Sequence, residues 1–168
     1  TLLRDYGVDP ADPRVQAAME RVAANVRWLE VDGGQLYFHS TVEACVAGVL
    51  LSNIVYFGFD ASAALDSVLA DVQPDGGWNC EKDTPVSSFH PTICVVEGLL
   101  AWERDADPAD PRVAPVRAAR EGGEDYLLER RLFRRRSTGE VADPRFTMTS
   151  FPTRWYYDVL RGLDHFRL

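Results

Sequence analysis

Cys80, Glu81 and His90 put a thiol, a carboxylate and an imidazole on one connecting stretch near the middle of the chain. Zinc accepts such a donor set, with Asp75 or Glu43 available as a fourth ligand, so zinc is the cofactor these residues suggest. The spacing matches none of the strong zinc signatures. The plainer reading is a loop cysteine, a solvated carboxylate and a histidine at the start of the next helix. A Cys80–His90 nucleophile pair would need the two side chains to face each other, which spacing alone does not establish.

General acid chemistry is the second candidate. Glu97 stands inside the apolar run Thr92-Ile93-Cys94-Val95-Val96-Glu97-Gly98-Leu99-Leu100. Registering Thr153 on Thr92 puts Asp158 where Glu97 stands, and Glu43 follows Thr41 on an earlier apolar stretch. A carboxylate buried beside a cavity can keep a proton at neutral pH and donate it. The competing reading is an ion pair with Arg154 or Arg161, or a bond to a neighbouring helix start. Aromatic residues stand close by in sequence: Phe89, Trp102, Trp155, Tyr156 and Tyr157, with Phe38, Phe151 and Phe166 at comparable places. They could wall an apolar ligand and stabilise carbocations through their π faces, or simply fill a core.

The elements that must position these residues are helices. Asp9-Pro10-Ala11-Asp12-Pro13-Arg14-Val15 recurs letter for letter as Asp107-Pro108-Ala109-Asp110-Pro111-Arg112-Val113. Each copy offers an Asp cap followed by Pro at the first helical position. Val15, Met19, Val22, Val26 and Leu29 then lie at helical spacing with charges between them. Asp60-Ala61-Ser62 is a further cap, so three amphipathic helices are expected from near 13, 61 and 111. A second, more apolar series interleaves with the first: 42–57, 93–102 and 155–166. No stretch alternates as a strand does between hairpin turns. Alternating half-wet and buried helices predict an all-α, toroid-like partial ring of about three hairpins, forming one domain over 1–168. Its open flanks would be covered by a second copy or by a longer chain.

Composition narrows the partners. The chain carries 26 Asp and Glu against 18 Lys and Arg, a net −8, which disfavours nucleic acid and anionic membranes as partners. The cluster Arg130, Arg131, Arg134, Arg135 and Arg136 reads as a solvated helix end. Three cysteines, two of them in apolar runs, read as reduced thiols in the cytosol. The opening Thr1-Leu2-Leu3-Arg4-Asp5 turns charged at once, unlike a secretory leader. The apolar run 41–59 holds Glu43 and Asn53 and reads as a buried helix, not a membrane span.

Gln73-Pro74-Asp75-Gly76-Gly77-Trp78 resembles the Gln…Gly…Trp repeat of the squalene cyclase and protein prenyltransferase superfamily. The alternating helix hairpins resemble that superfamily's α/α toroid over most of the chain. The resemblance implies a terpenoid cyclase-like or prenyltransferase-like domain with an apolar, isoprenoid-type ligand in a central cavity. Glu97, Asp158 and Glu43 would then be the acids and the aromatics the cavity wall. The Asp-x-Asp-Asp acid of the class II cyclases does not occur here, and Asn79-Cys80-Glu81 lacks the Asp that precedes the zinc-binding Cys of the prenyltransferases. A non-catalytic binding or scaffold module on the same frame is the competing reading. The motif has a structural reading of its own: the Gly pair makes the turn, Trp78 stacks beneath it and Gln73 bonds freed backbone groups.

Overall fold

The computed structural model describes residues 1–28, 34–39, 42–81, 83–153 and 155–167. Leu29, Thr41 and Arg154, all used in the sequence reading, lie outside them. The described residues form helices joined by turns, with isolated bridges Arg27–Leu36 and Arg134–Val141 and no strand. In chain order the α-helices are α1 (Leu2–Asp5), α2 (Pro13–Asn25), α3 (Ala44–Tyr56), α4 (Ser62–Ala70), α5 (Phe89–Asp105), α6 (Val113–Glu129) and α7 (Val159–Phe166). The all-α expectation holds, and helices begin at 13, 62 and 113, beside the three predicted starts.

The starts follow from local chemistry. Asp12 accepts the Arg14 backbone N–H at 2.8 Å, and Pro13 opens α2 with no amide to waste. Asp110 makes the same 2.8 Å bond to Arg112, and Asp60 takes the Ser62 N–H at 3.0 Å. Two expected starts move. The middle apolar helix begins at Phe89 rather than 93. The last apolar helix begins at Val159 rather than 155, because Asp158 caps it by accepting from Leu160 and Arg161.

α3 and α5 are the centre. Both are apolar nearly all round and pack on each other, with α4 laid on α3 and α6 on α5. Two glycines permit the close approach. A Cβ on Gly98 would lie 2.5 Å from the Gly48 carbonyl oxygen, and one on Gly48 would strike the Cys94–Val95 peptide. The helices therefore touch backbone to backbone. The 13 residues of α3 reach ~20 Å at helical rise, short of a ~30 Å hydrocarbon core. Among the described residues no helix is long and apolar enough to cross a membrane.

The Gln73–Trp78 stretch locks α6 to this centre. Gly76 takes a φ of +88°, in the left-handed region open to glycine, and the turn closes through Gln73 and Gly77 backbone groups. Gln73 thus contributes backbone bonds to the motif. Trp78 is fully buried and donates its indole N–H to the Val68 carbonyl at 2.7 Å. Its backbone N–H is taken by the Thr92 hydroxyl at 3.0 Å. Asp75 accepts from the Ser87 hydroxyl and from Arg130 at 3.3 Å. Arg130 corrects an expectation: it is buried, with its guanidinium 3.6 Å from the Tyr126 ring centroid, not solvated at a helix end.

Candidate functional site

α3, α5 and α7 leave a cleft of about 1070 Å³ between them, lined on one side by α1 and by Pro152, Thr153 and Trp155. α3 contributes Val49, Ser52, Val55 and Tyr56, and α5 contributes Glu97, Leu100, Ala101 and Arg104. Arg161 and His165 come from α7, and Trp155 from the turn before it. The N-terminal segment is anchored there: the Tyr56 hydroxyl donates to Val8 O at 2.8 Å, and Asn53 donates to the Thr1 hydroxyl at 3.1 Å. The apolar strip of the cleft is aliphatic, and two ion pairs lie along its wall, Arg4 with Asp5 and Arg161 with Glu97.

Glu97 lies in the cleft wall. Both of its oxygens accept from Arg161, at 2.9 Å from Nε and 2.6 Å from Nη2. Arg161 also donates to the Trp155 carbonyl at 2.8 Å and reaches the Cys94 sulphur at 3.4 Å. Burial alone would lower the Arg161 pKa, but the Glu97 carboxylate outweighs it and holds the guanidinium above its ordinary value. The result is a fixed ion pair at the cleft, the alternative partner named from sequence. Asp158 is buried at the head of α7, where it takes the backbone N–H groups of Leu160, Arg161 and Ser150. It caps its own helix, where the sequence offered a neighbouring helix start as the partner. Glu43 is exposed ahead of α3 and lies at the cysteines rather than the cleft.

The aromatic residues divide. Phe89, Trp102 and Tyr157 are core: Phe89 packs against Tyr126, Phe146 and Tyr157 with centroids 5.2–5.8 Å apart. Trp102 carries the Arg112 guanidinium 5.3 Å from its ring. Trp155 lines the cleft and meets His90 edge-on at 5.2 Å, while Tyr156 is 79% exposed. His90 stands in the first turn of α5, 4.0 Å from the Cys94 sulphur. Burial first, and then Arg161, pull its pKa down to about 4.

Comparison of the chain with protein-family models, curated proteins and solved structures finds no match.

The expected zinc set of Cys80, Glu81 and His90 does not assemble. His90 turns to Cys94, and Glu81 is exposed, its N–H held by the Asn79 side chain at 3.0 Å. Asp75 is taken up by Ser87 and Arg130. Cys80 instead meets Cys45, sulphur to sulphur at 3.0 Å, with a Glu43 oxygen 3.9 Å from Cys45. Glu43, Cys45 and Cys80 place their donor atoms within 4.8 Å of one another, close enough to hold a metal ion. The Cys45 thiol, by hydrogen-bonding the Cys80 sulphur, lowers the Cys80 pKa to about 7, and its own pKa is raised in turn. Burial pushes Cys94 up to about 11.

Several contributors escaped the sequence argument. The Cys45–Cys80 pair is separated by 35 positions and follows no short motif. A third Ala-Asp-Pro-Arg, at 142–145, was legible but overlooked. Asp143 there accepts the Arg145 N–H at 2.9 Å and opens a short 3-10 turn, and its pKa falls to about 2.

Proposed function

We propose that the chain is a terpenoid cyclase-like or prenyltransferase-like domain whose cleft binds an isoprenoid-type ligand, and that its role there is binding rather than proton donation. The single observation behind this reading is the cleft of about 1070 Å³ with an aliphatic strip of Val49, Val55, Leu100 and Ala101 beside a charged wall. That volume admits a ligand of drug size, and an apolar strip with a few polar groups is how such sites select and orient. A prenyl chain would lie on the strip. Arg104 and Arg4, the latter held on Asp5 at 3.2 Å, also line the cleft and would meet a diphosphate head. The hydrogen-bonded clamp of Arg161 on Glu97 favours a fixed wall over a free acid, which supports the binding role. The partial ring, its completion by a second copy or a longer chain, and residence in the cytosol belong to the same proposal.

Calorimetric titration with farnesyl diphosphate, farnesol and squalene tests it. Farnesyl diphosphate is expected to bind in the micromolar range, and Ala101→Trp, which fills the strip, to weaken it at least tenfold at unchanged thermal stability. Absence of binding by all three probes overturns the reading. Enzymatic turnover of these probes that vanishes in Glu97→Gln would restore the catalytic role to Glu97.

A further inference from the structure

We propose that Cys45 and Cys80 form a redox pair, closed by a low-molecular-weight disulfide into a reversible cross-link that pins the stretch after Trp78 to the head of α3. The two sulphurs stand 3.0 Å apart, inside ordinary non-bonded contact. A disulfide needs them ~1 Å closer, and two thiolates on tetrahedral zinc would need them roughly 0.8 Å farther apart. Distance alone does not choose between these states. The donor count does. Among the described residues only Glu43 joins the pair, whereas a closed structural zinc site takes about four protein ligands.

The surroundings sort the three thiols. Cys94 is wholly buried, faces His90 and receives Arg161 at 3.4 Å, so it is kept out of exchange. Cys45 is buried in the first turn of α3, and Cys80 is partly exposed on an irregular segment. Cys80 is therefore the thiol an outside disulfide reaches first. Its thiolate attacks one sulphur of the reagent, the reagent's S–S bond breaks, and one thiolate leaves. Cys45 then gives up its proton, with the Glu43 carboxylate 3.9 Å away to receive it. The Cys45 sulphur attacks Cys80, and the second reagent thiolate leaves. Two protein thiols are oxidised, one reagent disulfide is reduced to two thiols, and the two protons released end on those thiols or the buffer. In a reducing cytosol the pair rests as the dithiol, and an oxidative load closes it.

Treatment with oxidised glutathione, followed by alkylation and peptide mass spectrometry, is the test. The expected product is a Cys45–Cys80 peptide with Cys94 alkylated, reversed by dithiothreitol. Cys45→Ser should stop at a glutathione adduct on Cys80, and Cys80→Ser should give no cross-link. Closing a loop over 35 positions should raise the melting temperature by about 10 °C. Should Cys45→Ser fail to fold, the wild type decides: Cys45 and Cys80 must be lost together while Cys94 persists. Cross-linking through Cys94, inertness of both thiols at every glutathione ratio, or protection of the pair by a stoichiometric, chelator-removable metal ion each overturns the proposal.

Discussion

At the residue scale, His90 carries the clearest dependence on pH. Its pKa falls from 6.5 to about 4 because burial and the Arg161 guanidinium both oppose a second proton. Above about 6.5 folded and unfolded chains hold the ring alike. Between about 6.5 and about 4 the unfolded chain binds a proton that the folded one refuses, so stability drops as pH falls through that window. Below about 4 the loss levels off. The ring is not wholly buried, which makes the effect smaller than full desolvation would give. Melting curves of wild type and His90→Gln should therefore converge by several degrees between pH about 7 and about 5 if the variant starts lower, or diverge if it starts higher. Parallel curves would show that the ring takes up its proton as readily in the fold as outside it. Much at this scale was legible wherever the partner is close in sequence. Asp12 capping α2 through the N–H of Arg14, two residues on, is such a case, whereas Asp158, read as a residue inside its helix, proved to be the cap. The Glu97–Arg161 pair spans 64 positions, and sequence could name Arg161 only beside Arg154. Cys45 and Cys80 were assigned to separate environments because nothing local joins them.

At the element scale, helix order was legible because caps and apolar periodicity are local. The tight crossing of α3 on α5 was not, since Gly48 and Gly98 lie 50 positions apart and nothing local marks either as the other's partner. Glycines in α6 make this testable. Gly122 and Gly123 are neighbours in one helix and share its propensity cost, about 1 kcal/mol relative to Ala. A Cβ on Gly122 meets its nearest atom, the Gly76 oxygen, at 3.6 Å, an ordinary contact. A Cβ on Gly123 meets Val96 at 2.5 Å and the Trp78 ring at 2.7 Å. Urea denaturation should show Gly122→Ala gaining roughly 0.5–1 kcal/mol and Gly123→Ala losing about 1–3 kcal/mol. Gly48→Ala should lose about 3 kcal/mol or more, because the atoms in its way are backbone and cannot rotate aside. Equal effects for Gly122→Ala and Gly123→Ala would show that α6 does not sit on Trp78.

At the scale of the whole molecule, the touching backbones of α3 and α5 divide the protein by how readily its parts open. Where no side chains intervene, the two helices cannot slide past each other by small steps, and their amides are shielded until everything unfolds. The short α1 and the eight-residue α7, which form the rim of the cleft, are held by side-chain bonds instead: Tyr56 and Asn53 to the N-terminal segment, and Arg161 to Glu97. Hydrogen–deuterium exchange read by mass spectrometry should rank accordingly, with the centre of α5 slowest and the rim fastest by at least tenfold. Such a ranking means the mouth can breathe while the middle stays shut, so a guest could enter and leave without the fold ever coming apart.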